Sequence, residues 1–300
     1  TVLSNYDARN NFMDIKMESP GFQTGEFFIK NFYFEGETKE DYISMILGSS
    51  ENSIGLQTGI KNLELKSHLF SDTADINLLW NNHSDTLNTK ADIKAKIAFE
   101  DITNDSTLSV RAALQKSMIV IDGQNWEMMP ANIRSDSSHI QIQGIEFRGN
   151  NEKIALNGDI SKDPDSELNL HFFDFELKNL QNIMPEDFEI NGRMNGSFRL
   201  KNLYSDFIVL TNDTIDNLRL NNISLGDMFL KSNWDNSLSG LKFSFYNKFG
   251  DPDLGQKVQV TDSVYGTYWP ETDSVSLAGN FEGFNLRTFS PLYKDYINFM

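Results

Sequence analysis

Apolar and polar residues alternate along most of this chain, and a period of two is the signature of a strand buried on one side only. The alternation is plain at Ile140 and Ile142, at Leu168, Leu170 and Phe172, and at Leu218 and Leu220. It recurs at Leu241, Phe243 and Phe245, and at Val258 and Val260. Between the runs lie clusters such as Asp122-Gly123, Asn150-Asn151, Lys162-Asp163-Pro164-Asp165 and Asp235-Asn236-Ser237. These residues make turns because they tolerate positive φ or bond locally through their side chains. Strands recurring at a spacing of about 8–12 residues predict an all-β architecture.

Helical signals are few. Thr38 to Asp41 reads as a capping box, with Tyr42, Ile43, Ile46 and Leu47 on one face of the helix it would open and Gly48 as its stop. Leu180, Ile183 and Met184, before Pro185, predict one short helical turn; Leu292, Tyr296 and Phe299 predict another. None is long enough to build a helical layer.

The chain also resembles itself. Asn125-Trp126-Glu127 recurs as Asn233-Trp234-Asp235, an offset of 108, and a glycine follows each Trp by 32 residues, at Gly158 and Gly266. Asp165-Ser166 recurs as Asp273-Ser274, again at 108. Phe172, Phe175, Leu177 and Leu180 then match Phe281, Phe284, Leu286 and Phe289 at 109, with Pro185 and Pro291 beyond them. Such self-similarity marks a repeat architecture, here with many strands per unit. The period divides the chain into an N-terminal β region over 1–106, read as a divergent partial repeat, a repeat unit over 107–190, and a second unit over 191–300 that is truncated at its C-terminal end. The abrupt start and stop read as excision from a longer protein.

Composition limits function. The 300 residues carry a net charge of −17, which argues against nucleic acid, whose phosphates demand clustered Lys and Arg. It argues equally against charge-driven adhesion to an anionic membrane surface. With 23 Phe, 9 Tyr and 4 Trp there is ample apolar surface to bury, so disorder is a poor reading. There is no cysteine, which removes disulfides, thiol nucleophiles and thiolate metal sites; this suits either a cytoplasm or a periplasm.

Taken in order, several of these landmarks resemble the TamB family of the AsmA-like superfamily, in its Bacteroidetes form. The resemblance is carried by Ile121-Asp122-Gly123 through Trp126 and Ile133 to Ile140-Gln141-Ile142. It continues through Ile154 to Ser161, Leu168-Asn169-Leu170, the pair Gly192 and Gly196, and Leu225-Gly226-Asp227 leading to Trp234. It covers roughly residues 107–300 well and 1–106 only in character. The resemblance implies a long periplasmic β structure, bent into a U-shaped trough or half-pipe with an apolar interior and a few short helices. It implies an inner-membrane anchor, work with a TamA-like outer-membrane assembly barrel, a part in outer-membrane protein assembly, and phospholipid transport between the membranes. This chain shows neither the anchor helix nor a barrel-docking segment.

On that reading the groove that carries acyl chains is lined by Ile140, Ile142, Leu168, Leu170, Phe172, Phe198, Leu200, Leu218, Leu220, Leu241, Phe243, Phe245, Val258, Val260, Leu277 and Phe281. A register error of one residue would move every one of them to the opposite face. The same alternation would equally build a closed β-sandwich core. Trp126 and Trp234 read as wall residues or as packing landmarks, and Gly158, Gly192, Gly196 and Gly266 as bulges or bends.

Catalytic chemistry is not evident. His68, His83, His139 and His171 are scattered without paired metal spacing, and Asp101/Asp105, Asp163/Asp165 and Asp251/Asp253 lack the Gly and terminal Glu of a calcium loop. No nucleophile elbow, phosphate loop or dinucleotide fingerprint occurs. The expectation is a non-enzymatic protein without cofactor or metal, whose partners are phospholipid acyl chains and, through the full-length protein, the assembly barrel. The other readings are a structural or adhesive β-repeat surface protein binding protein or glycan, and a polysaccharide-processing enzyme on a β-solenoid.

Overall fold

The structure, a computed structural model, describes residues 1–10, 12–24, 27–54, 58–82, 89–102, 107–121, 123–183, 188–204, 207–221, 223–249 and 259–280. The protein is all-β and every strand pairing described is antiparallel. Two compact units divide at Asn150/Asn151. The repeat is a sequence period and runs through that division. Among the described residues no helix is long and apolar enough to cross a membrane.

Unit 1 contains β1 Val2–Asp7, β2 Phe12–Thr24, β3 Phe27–Thr38, β4 Ile43–Ile54, β5 Thr58–Leu69, β6 Thr73–Asn81 and β7 Lys90–Ile102. Shorter strands follow: β8 Thr107–Leu114, β9 Ser117–Ile121, β10 Gln124–Met128, β11 Ala131–Ser135 and β12 His139–Arg148. From β1 to β7 each strand pairs with the next. Strands β8 and β9 both lie along β7 and act as one strand with a bulge between them. There the Lys94 amide donates to the Ser117 hydroxyl at 3.1 Å, so the break leaves that N–H satisfied. Strands β10 and β11 likewise act as one, facing β9 and β8 on one side and β12 on the other in unbroken register. Pro130, which has no N–H to give a ladder, marks the interruption.

Unit 2 contains β13 Lys153–Ser161, β14 Glu167–Glu176, β15 Ile190–Lys201, β16 Ile208–Leu220, β17 Ile223–Asp235, β18 Gly240–Phe249, β19 Gln259–Trp269 and β20 Ser274–Asn280. Each pairs with the next, an eight-stranded meander. The turns use the expected chemistry: at Asp235 the carboxylate accepts from the Ser237 amide at 2.9 Å, and at Asp163 it accepts from Asp165 at 2.9 Å. A 3-10 helix, Leu177–Ile183, follows β14 and packs on β15. It corresponds to the short turn expected around Leu180 and Ile183; Met184, and the turn expected over Leu292, Tyr296 and Phe299, lie outside the described residues.

The helix expected after Thr38 does not form. Residues from Ile43 onward are β4, which pairs with β3 from Thr38↔Ile43 to Phe27↔Ile54 and with β5 on its other edge. The Ile43, Ile46 and Leu47 spacing mimics a helical face locally, but twelve residues of β4 gain two ladders as a strand.

The 108-residue period is visible in what the described residues do. Gly158 and Gly266 stand opposite Leu168 and Leu277, an offset of 109 like that of the Phe motif. A methyl at Gly158 would come within 2.1 Å of the Glu167 carbonyl oxygen, and one at Gly266 within 2.2 Å of that of Ser276. Both glycines thus answer the same close approach of the facing strand. Trp126 and Trp234 stand on β10 and β17, and each lies on the apolar face of its unit.

Candidate functional site

Antiparallel partners directly opposite each other place their side chains on the same side, so the register alone sorts residues into faces. In unit 2 one cross-strand row runs Leu156, Leu170, Phe198, Thr211, Ser232, Phe243, Gly266, Leu277 from β13 to β20. A neighbouring row holds Gly158, Leu168, Leu200 and Val209, and resumes with Trp234, Leu241, Tyr268 and Val275. On the other side lie Ile154, Phe172 and Gly196, then Asp213, Leu230, Phe245 and Val264. A fourth row, nearest the 3-10 helix, is Phe175, Met194, Ile215, Met228, Asn247.

The structure therefore brings Leu168, Leu170, Phe172, Phe198, Leu200, Leu218, Leu220, Leu241, Phe243, Phe245 and Leu277 to one face of unit 2. At spacings of about 4.8 Å between strands and about 6.8 Å between alternate residues, the three outer rows measure roughly 34 Å by 14 Å. Ile140 and Ile142 belong to unit 1, on its own apolar face. There the row Thr38, Ile43, Leu69, Ala74, Ile97, Ala112, Ile133, Ile142 crosses from β3 to β12, and Ile140 follows Phe99, Val110 and Ser135. Val258, Phe281 and the side chain of Val260 lie outside the described residues.

The opposite face of unit 2 is mostly polar, with Phe173, Phe229, Tyr246 and Tyr265 among its aromatics. Its rows read Glu167 with Lys201, Ala155 with His171 and Ser197, Glu176 with Arg193 and Asp216, and Asn212 with Lys231 and Ser244. Ion pairs knit it together, Arg193 to Asp174 at 2.7 Å and Lys201 to Glu167 at 3.7 Å.

Burial falls along the apolar face. Next to the 3-10 helix, Phe175, Met194, Ile215, Leu218, Leu220 and Met228 are all buried, as are Leu177 and Phe188. The helix is tied down at both ends. Asn179 donates to Glu152 Oε2 at 2.7 Å, and Gln181 Nε2 donates to the Phe188 carbonyl at 2.7 Å. Burial holds the Glu152 carboxyl above its ordinary range. In the outer rows, Leu168, Leu170, Phe172, Phe198, Leu200, Leu241, Phe243 and Phe245 are only half-buried, and Val275 and Leu277 are 56% and 61% exposed. Phe172 meets Phe198 edge-on at 5.8 Å and Phe175 at 5.1 Å. Half-buried aromatics in the middle of a sheet still have apolar surface to bury.

One acid interrupts this face. Asp213 is 2% exposed, and its carboxylate lies so close to Gly196 that a methyl there would come within 1.6 Å of Oδ1. The Thr211 hydroxyl donates to Oδ2, while Oδ1 has no partner. Burial pushes its pKa up against the pull of Thr211, the Ser197 amide and His171. Sequence reasoning passed over it, although Val209, Asp213 and Ile215 share the parity of the apolar positions in β16.

Among the described residues no group of His, Asp or Glu is placed to hold a metal. Comparison with protein-family models, with curated proteins and with solved structures returns no match.

Proposed function

We propose that this chain is a segment of a TamB-like envelope protein whose apolar β faces carry phospholipid between inner and outer membranes and support outer-membrane protein assembly. On this reading it acts in the periplasm, as part of an inner-membrane-anchored protein, without catalysing a reaction. The observation that carries the proposal is the three outer rows of unit 2, eight strands wide. Their side chains are aliphatic, aromatic or small, and their single acid is buried and held toward its neutral form.

Such a face suits a sliding acyl chain. Each methylene withdrawn from water contributes about 0.8 kcal/mol, so a few suffice for residence. Among the described residues of these rows no exposed charge fixes the chain in one place, so it can move. The acidic remainder keeps the polar side solvated.

Native mass spectrometry of the protein purified from a Gram-negative envelope tests this. Phospholipid adducts are expected on the parent chain and should be lost when Phe243→Asp and Leu277→Asp are combined. A parent chain free of lipid, or adducts unchanged in the double variant, would overturn the proposal.

A further inference from the structure

The polar face of unit 1 contains a groove of about 770 Å³ that the lipid reading does not use. It crosses β3 to β10, about 29 Å at the usual strand spacing. One cross-strand row in it runs from Tyr33 through Gly48, Glu64 and Leu79 to Asp92.

Tyr33 is the floor of this groove. A methyl at Gly48 would meet its Cζ at 2.3 Å and its Cε1 at 2.5 Å, so the ring lies across that glycine. Tyr33 lines the groove and is only half-buried, while Gly48 is buried beneath its ring. The phenol donates to Glu64 Oε2 at 3.0 Å and is thereby fixed in place. Burial and the nearby Glu64 raise its pKa, so it remains a donor.

The lining also holds Asn31, Asn62 and Asn81, with Leu79, Trp80 and Met118 among its larger apolar side chains. Asn31 and Asn62 take the left-handed conformation, φ 50° and 51°, and lie exposed. Asn31 donates one N–H to the Ser50 hydroxyl at 3.0 Å and Asn62 one to the Asn81 carbonyl at 2.9 Å. Each amide thus holds its place and still has an oxygen and a second N–H to offer. Both carboxylates of the groove are paired, Glu64 by Lys66 at 2.7 Å and Asp92 by Lys94 at 3.5 Å, and Lys90 is the one cation among the described residues of its lining.

A fixed, half-buried aromatic ring in a lining of amides and neutralised carboxylates matches a sugar. The C–H face of a pyranose is apolar and stacks on a ring, while its hydroxyls both donate and accept. A phosphate would need several converging cations, where the described lining offers Lys90 alone, and an acyl chain would leave the amides unpaired. We propose that this groove binds a neutral oligosaccharide, with Tyr33 as the stacking platform and Asn31, Asn62 and Glu64 bonding its hydroxyls. The proposal is independent of the lipid face.

Calorimetric titration of the full chain with cellohexaose, maltohexaose, chitohexaose and mannohexaose at millimolar concentration tests it. At least one should bind. Tyr33→Ala should weaken it about tenfold or more, the scale of losing an aromatic contact. Tyr33→Phe, which keeps the ring, should retain most of the binding, and Phe172→Ala all of it. Should Tyr33→Ala fail to fold, Asn62→Ala provides the second test, since losing its hydrogen bonds should also weaken binding. Four inert hexasaccharides, or binding indifferent to the Tyr33 and Asn62 substitutions, would overturn the assignment.

Discussion

Two ends of the same strands in unit 2 meet different fates. At the end where the 3-10 helix packs on β15, Phe175, Met194, Ile215 and Met228 are sealed into a conventional core; two to four residues further along, Phe172, Phe198, Phe243 and Phe245 keep about the same hydrophobicity but remain only half-buried. Sequence composition does not separate the two sets. The closed end is the one where the seven-residue 3-10 helix packs on β15. Apolar alternation therefore supplies the surface, and what packs against it decides how much of that surface is buried.

The largest expected effect lies where the two ends join. Gly196 has φ 153° and Asp213 directly against it, so Gly196→Ala should cost about 3 kcal/mol through strain and overpacking. Asp213→Ala in the same chain should recover part of that loss, and a double-mutant cycle in denaturant unfolding would measure the coupling. Next come truncations at the two ends. Leu218→Ala, in the sealed core, should lose about 3 kcal/mol, whereas Phe243→Ala, on the open rows, should lose roughly 1 kcal/mol. Equal losses would erase the distinction between core and open face.

A smaller effect is a pH dependence. The folded pKa of Asp213 lies above its unfolded value, so the folded state binds the extra proton. Its contribution to stability is fullest at low pH and is lost as pH rises from the unfolded pKa, near 3.9, through the folded one. Asp213→Asn should gain stability relative to the parent over that window, and the advantage should then level off. Glu152, also raised, is present in both proteins, so the difference isolates Asp213. Smallest of all, Lys201→Met breaks a half-exposed ion pair with Glu167 and should change stability by less than about 0.5 kcal/mol.

Much of this fold is legible in the sequence because its signal is local. Alternation at Leu168, Leu170 and Phe172, or at Leu241, Phe243 and Phe245, gives both the strand and the face, and the register places all of them together. The helix expected near Tyr42 failed because ladder pairing with β3 and β5 is non-local and outweighs a four-residue spacing. The covering of the inner row was hidden for the same reason: nothing local says that Leu177–Ile183 will pack on β15. Asp213 was overlooked although its parity was readable, because a lone Asp within a strand run reads as polar-face. The Tyr33 groove was beyond reach, since its parts sit on separate strands and meet only once the register and the Asn31 and Asn62 kinks are known.

The central claim is that one face of these strands meets lipid and the other does not. A photo-crosslinking amino acid placed in turn at Phe243 and at Ser244, neighbours in β18 that look to opposite faces, tests it most directly in living cells. Phospholipid adducts at position 243 with none at 244 are the predicted result; equal labelling at both, or none at 243, would contradict it.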